Sequence, residues 1–332
     1  MVAVRVMQWQ ATAGGSMTYR LDWPGRVLTR LGHTVRRCER AIHSWVADSD
    51  VVVGQFVANE APSLRWQEWA AEGRTLVYDV DDDLSCVDPE SVKAYAYYSD
   101  PVVQARIGAN MAVATRVTAA TDGIAAWAAR WARDVVVVPN GLPAQLLCAP
   151  DRPARADGRV VVGWAGSMQT LPELRLVARA LQRLLESTPG VVVHTVGVPA
   201  DAVASTGLTH PGVQVTPWVA GTDTYLTVID FDVWVAPYRD IAFNRAKVPT
   251  KALEAMFLGI PIVASPVGQY ATVVRHGVTG LLVRADHEWG RHIRGLVLDP
   301  ARRAAMGDAA RSAAAAHVVE GLGPLWEKAL TP

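Results

Sequence analysis

Three valines, Val160-Val161-Val162, lead into Gly163-Trp164-Ala165-Gly166-Ser167 and then into residues 172–186, where Leu174, Val177, Leu181 and Leu184 recur at helical spacing. The start of the chain has the same order. Residues 2–7 read as a buried strand, Ala13-Gly14-Gly15-Ser16 as a glycine turn, and a helical stretch to Leu31 precedes a second strand near His33-Thr34-Val35. Strand, glycine turn, helix, strand is the opening of a doubly wound parallel sheet. Meeting it twice in 332 residues, half of them hydrophobic, predicts two α/β domains, each with its own core.

Further apolar runs fill out both series. Strands are predicted at 51–56, 75–80, 117–121 and 135–138 in the first half, with a helix at 60–72. In the second half they fall at 191–196, 213–216, 233–236, 262–264 and 281–283. Residues 149–158, rich in Pro, Asp and Arg, read as a linker. The predicted domains are therefore 1–148 and 159–315, followed by a C-terminal helical segment, 316–332, returning to the first domain.

One segment concentrates charge and turn signals. Residues 244–265 read NRAKVPTKALEAMFLGIPIVAS: Val248-Pro249-Thr250 is a helix entry in which Thr250 can cap the first turn. Gly259 and Pro261 close that helix, and Leu253, Met256 and Phe257 share one apolar face. Of the 32 Lys and Arg residues only Lys93, Lys247, Lys251 and Lys328 are lysine, and two of these four fall here. Lys247 and Lys251 at the positive end of a helix dipole make a site for an anion, most naturally phosphate. The glycine turn at Gly166-Ser167, before another helix, suits an anion in the same way. The ordinary alternatives are a capped helix with a solvated Lys251/Glu254 pair and a plain turn.

A second chemical feature ends the strand at 75–80. Asp79, Asp81, Asp82 and Asp83 put four carboxylates within five positions, and mutual repulsion is tolerated when some cap a turn and others face a ligand or metal. A solvated acidic turn is the alternative. Asp79-Val80-Asp81 also has the Asp-X-Asp form by which some transferases hold a divalent ion against a diphosphate.

Global charge narrows the partners. Net charge is zero, and neither half has the basic excess of a nucleic-acid binder. The first apolar run is too short for a signal peptide and no later one approaches a membrane span, so a cytoplasmic protein without a transmembrane segment is expected. Cys38, Cys86 and Cys148 lie far apart in no metal-ligand spacing and read as reduced thiols. Twelve Trp against four Phe is unusual, but Trp66/Trp69 and Trp127/Trp131 have the spacing of core residues.

Taken together, Pro249-Thr250-Lys251, Leu253 to Met256, 259–265 and 277–283 resemble the donor-site signature of the retaining, family-4-like GT-B glycosyltransferases (glycosyl transferases group 1 type). Gly32-His33-Thr34-Val35, Pro139-Asn140-Gly141 and the 78–84 segment are weaker matches. The resemblance implies two Rossmann-like domains facing each other across a cleft. It implies a hexosyltransferase-type enzyme that moves a sugar from a nucleotide sugar, UDP- or GDP-linked, to a glycan, protein or small-molecule acceptor, with retention and without a cofactor or metal. Glu254 occupies the position that binds the ribose hydroxyls. The implied donor-binding set is Gly15, Gly166, Ser167, Trp218, Asn244, Thr250 and Glu254, with Trp218 near the base. Lys247, Lys251 and Arg239 would neutralise the diphosphate, Asp81 and Asp82 would complete the catalytic edge, and Tyr19 and Arg20 would stand on the acceptor side.

Two departures from the family pattern stand out. Ala246 replaces a second Glu, eight positions before the ribose-binding one, and 168–172 lacks the Arg and Lys that commonly hold the diphosphate. A metal-dependent transferase using Asp79/Asp81, a non-catalytic nucleotide-sugar-binding protein and an epimerase on the same scaffold are the alternatives.

Overall fold

The computed structural model describes residues 2–11, 16–40, 43–148, 155 and 157–331. Among them two six-stranded sheets form. The first holds β1 (Arg5–Gln10), β2 (Thr34–Cys38), β3 (Val51–Gln55), β4 (Thr75–Val80), β5 (Arg116–Ala119) and β6 (Val135–Val137), in the order β2-β1-β3-β4-β5-β6. The second holds β7 (Val160–Ala165), β8 (Val191–Val196), β9 (Val213–Thr216), β10 (Val233–Ala236), β11 (Ile262–Ala264) and β12 (Gly280–Leu282), in the order β12-β11-β10-β7-β8-β9. Every pairing between named strands is parallel. Helices cover both faces of such sheets, so strands read as unbroken valine runs: β3 and β8 are buried along their whole length.

Strand β7 shows how one run feeds two cores. Val162 and Trp164 join one apolar cluster with Leu174, Val177 and Leu181 of the helix Leu171–Ser187, while Val161 and Ala165 join another with Phe231 and Trp234. Alternation along the pleat sends them to opposite faces. The first strand corrects the expected boundary. It runs Arg5–Gln10 rather than 2–7, because its neighbours impose the register Arg5↔Thr34 and Val6↔Val51, and Val2 is left exposed.

Each sheet has a point where strand order reverses, between β1 and β3 and between β7 and β10. Ligands of open α/β sheets bind outside the carboxyl ends of the strands at such a point. Here the two points face one another. The helix Thr250–Phe257 joins the halves: Leu253, Met256 and Phe257 pack with Tyr19, Trp23 and Val27 of the first half. Thr250 does not cap it. Pro249 takes the cap position with no side-chain hydrogen bond, so Thr250 is the first helical residue.

After the helix Pro300–Ala314, which packs along Thr250–Phe257, the chain crosses back to the first sheet. Leu142 N–H donates to the His317 carbonyl at 3.1 Å, and Val319 N–H to that of Leu142 at 2.9 Å. The closing helix Gly323–Leu330 puts Trp326, Ala329 and Leu330 into a cluster with Val6, Leu21 and Leu28. The 149–158 linker lies mostly outside the described residues.

Candidate active site

A cavity of about 650 Å³ opens where the two reversal points meet. From the second half, Ala165, Gly166 and Ser167 at the end of β7, Tyr238 beyond β10, the 218–222 loop and the start of the helix Thr250–Phe257 line it. From the first half come Ser16, Met17, Thr18, Tyr19, Asp81 and Asn140. Of the expected site residues, Lys247, Lys251, Asp81, Gly166, Ser167, Trp218, Thr250, Glu254 and Tyr19 line this space together. Gly15 falls outside the described residues.

Lys251 and Glu254 stand about one turn apart on their helix. Lys251 Nζ donates to Tyr238 Oη at 2.7 Å and lies 4.9 Å from the centre of that ring, with no carboxylate ion pair among the described residues. Glu254 is buried, and its two oxygens accept from Tyr19 Oη and, at 3.1 Å, from Tyr225 Oη. A carboxylate offers about four acceptor positions, so two remain for further hydroxyls. Burial pushes the Glu254 carboxyl up to about 7, against the Tyr19 and Tyr225 hydrogen bonds and the Lys251 charge.

The four neighbouring aspartates are sorted by their partners. Asp79 is fully buried and accepts from Arg20 Nη2 at 2.7 Å and Thr118 Oγ1 at 2.7 Å. Asp82 pairs with Lys247 Nζ at 3.1 Å, and Asp83 accepts from the Ser85 N–H and hydroxyl. Asp81 lines the cavity, 8% exposed, and its Oδ1 has no hydrogen-bond partner among the described residues. Burial, then the Asp82 charge, pushes its carboxyl up to about 7, opposed by Arg20.

Both raised carboxyls carry a pH dependence of known sign. Their ordinary values are 4.5 for Glu254 and 3.8 for Asp81. Between those values and about 7 the folded protein keeps protons that the unfolded chain has released, so stability is highest below the window and falls as pH rises through it. Melting temperature is expected to drop from about pH 5 to about pH 8, and less so in Glu254→Gln, as thermal denaturation across that range checks. An equal drop in the variant would remove Glu254 from the account.

Several expected roles need correction. Arg239 does not reach the cavity: its guanidinium is held by Asp88, Glu90 and Glu173, and its N–H donates to Glu173 at 2.6 Å. Because Asp88 and Glu90 belong to the first half, Arg239 ties the halves together. Asn244 is buried beside it, bonded to Glu173 Oε1 at 2.8 Å and the Arg239 carbonyl at 2.9 Å. Arg20 is fully buried under the site, and Asp82 stands behind Lys247 rather than on the cavity wall. Lys247 lies 4.2 Å from the Phe243 ring centre and is already neutralised by Asp82.

The second glycine turn also differs from its expected use. Gly166 N–H donates to the Val196 carbonyl at 2.9 Å and Ser167 N–H to Thr170 Oγ1 at 3.0 Å, so neither is free for an anion. Small residues are still required there. Gly197, at φ 103°, approaches so closely that a Cβ would lie 2.1 Å from the Gly166 carbonyl oxygen.

Ala246 faces away from the cavity. It is buried against the first domain's core, and its carbonyl accepts from Thr121 Oγ1 at 2.7 Å. Sequence reasoning missed Tyr225, Tyr238 and Ser16, which reach the site only through tertiary packing. Asn140 was legible as a turn residue but not as a lining one.

Residues 159–299 match the family model described as Glycosyl transferases group 1. The D-inositol 3-phosphate glycosyltransferase of Geodermatophilus obscurus is 32% identical over 208 residues, 55% of this chain and 44% of that protein. The chain thus spans less than half the length of this curated relative. Sucrose-phosphate synthase from Thermosynechococcus elongatus superposes with a TM-score of 0.68 at 16% identity, over 98% of both chains. The Anabaena protein HepE, in complex with UDP and glucose, gives a TM-score of 0.68 at 17% identity, covering 98% of this chain and 99% of its own. At such identities the likeness is one of fold. Residues 159–299 therefore carry a match to the glycosyl transferases group 1 family model, in a chain whose two facing parallel sheets have the GT-B fold.

Proposed function

We propose that the protein is a glycosyltransferase that moves a sugar from a nucleoside diphosphate donor to an acceptor hydroxyl, with retention and without a metal. The observation that carries this reading is Lys251 beside Glu254 at the start of one helix, on the wall of a cavity between the two halves. Glu254 has acceptor positions left for ribose hydroxyls, and Trp218, 64% exposed at the cavity, offers a face for the base. Lys251 and the helix N-terminus supply positive potential for the diphosphate. UDP-sugars are the donors to test first, given the ligands of HepE and the similarity to a glycosyltransferase.

In the reaction the bond between the sugar's anomeric carbon and the diphosphate oxygen breaks, and the acceptor oxygen forms the new bond. The hydroxyl proton leaves with the nucleoside diphosphate. Lys251 stabilises the charge that grows on the departing phosphate, and a cavity walled by Tyr238, Tyr225 and Val248 limits bulk water. Arg239, Asp88 and Glu90 hold the two halves in register.

A metal-independent reaction is favoured by the donor set at the Asp-X-Asp stretch. Asp79 has its oxygens taken by Arg20 and Thr118, which leaves Asp81 without a second carboxylate of that motif to share an ion. Slow hydrolysis of UDP-sugars by the purified chain is expected to persist in excess chelator. Loss of activity with chelator and recovery with a divalent ion would establish the metal-dependent alternative. Thermal stabilisation by UDP-sugars with no turnover would establish a binding protein instead.

A further inference from the structure

The two walls of the cavity differ in charge. The second half contributes Lys251, the Asp82-paired Lys247 and Glu254, whereas Ser16, Met17, Thr18, Tyr19, Asp81 and Asn140 of the first half include one carboxylate and no cation. Nearby positive charge is already committed. Arg20 gives its donors to Asp79, the Val138 carbonyl at 2.5 Å and Asn140 Oδ1 at 3.0 Å, and Lys247 pairs with Asp82.

Asp81 is more than nine-tenths buried, yet its Oδ1 has no donor among the described residues. A buried carboxylate oxygen left unpaired is costly, and such atoms in native proteins ordinarily meet a ligand or water. An incoming hydroxyl or ammonium satisfies it; a phosphate or carboxylate meets like charge in a poorly solvated site.

We infer that Asp81 Oδ1 accepts a hydrogen bond from the acceptor, and that the acceptor is a neutral or amine-bearing hydroxyl compound rather than one recognised through a phosphate or carboxylate. This rests on the transferase reading above, and it departs from what the name of the inositol phosphate relatives suggests for their acceptor. Asp81 is then a substrate-binding residue of the first half, across the cavity from Lys251, which takes the diphosphate.

The test uses the full chain with whichever UDP-sugar it hydrolyses, and matched acceptors in neutral, amine-bearing and phosphorylated forms: glucose, glucosamine and glucose 6-phosphate, inositol and inositol 3-phosphate, and a wider set of such series. The neutral or amine member is expected to show kcat/KM at least about tenfold above its phosphorylated counterpart. Asp81→Asn is expected to raise acceptor KM by about tenfold, a larger change than in donor KM. Asp81→Ser serves as the second variant, and melting curves verify that each is folded. Preference for the phosphorylated member, transfer to no neutral or amine-bearing member, an unchanged acceptor KM in both variants, or a shift in donor KM instead would each overturn the inference. Failure of the transferase reading is distinguishable, because it appears as absent donor hydrolysis in the unaltered chain without any acceptor.

Discussion

Lys251→Ala is expected to lower kcat for donor hydrolysis and transfer by about a hundredfold while leaving the fold nearly intact. The asymmetry follows from where Lys251 sits. Its ammonium is half-buried on the cavity wall, bonded to a tyrosine hydroxyl rather than to a carboxylate, so its charge is available to a ligand. Removing it deprives a leaving diphosphate of a preorganised cation, an interaction that strengthens as the phosphate separates. The structural cost is about 1 kcal/mol, since Tyr238 Oη keeps Tyr270 Oη at 3.3 Å as a partner. Lys247→Ala gives the contrast, because its charge is already matched by Asp82. Steady-state kinetics with melting curves check both, and near-normal turnover in Lys251→Ala would remove it from the reaction.

Arg20→Ala is expected to do the opposite and cost about 3–5 kcal/mol of stability. The helical turn Thr18–Asp22 carries this side chain beneath the cavity floor, where neither it nor Asp79 has any exposed side-chain surface. Its guanidinium joins Asp79, the Val138 carbonyl and Asn140, and lies 4.9 Å from the Trp326 ring centre, which ties the closing helix to the first sheet. Truncation leaves Asp79 as a buried charge with Thr118 as its remaining partner. Chemical denaturation of the two proteins measures the loss. A variant of normal stability that fails only in acceptor binding would restore Arg20 to the acceptor role suggested by its sequence position.

Neither outcome is visible in local sequence, because Lys and Arg at glycine-turn and helix-start positions look alike as candidate anion contacts. What separates Lys251 from Lys247, Arg239 and Arg20 is the count of carboxylates that folding brings to each. Asp82 reaches Lys247 across 165 positions, and Asp88 reaches Arg239 across 151. The aspartates show the same effect. Asp79, Asp81, Asp82 and Asp83 are chemically identical, yet one is structural, one faces the cavity, one neutralises a lysine and one closes a turn.

The sequence by itself determined the two parallel α/β halves, most strand positions, the helix entry at 248–250 and the apolar face of Leu253, Met256 and Phe257. These rest on burial periodicity and turn chemistry, which act over a few residues. Only the tertiary structure decided that the two strand-order reversals face each other, that Tyr19 and Tyr225 converge on Glu254, that the Gly166 and Ser167 N–H groups are spent within the fold, and that Asp81 keeps a buried oxygen with no donor among the described residues. The physical reason is that hydrogen bonds and ion pairs are settled by which distant residues the fold brings to a buried polar group, and a local pattern holds no record of them.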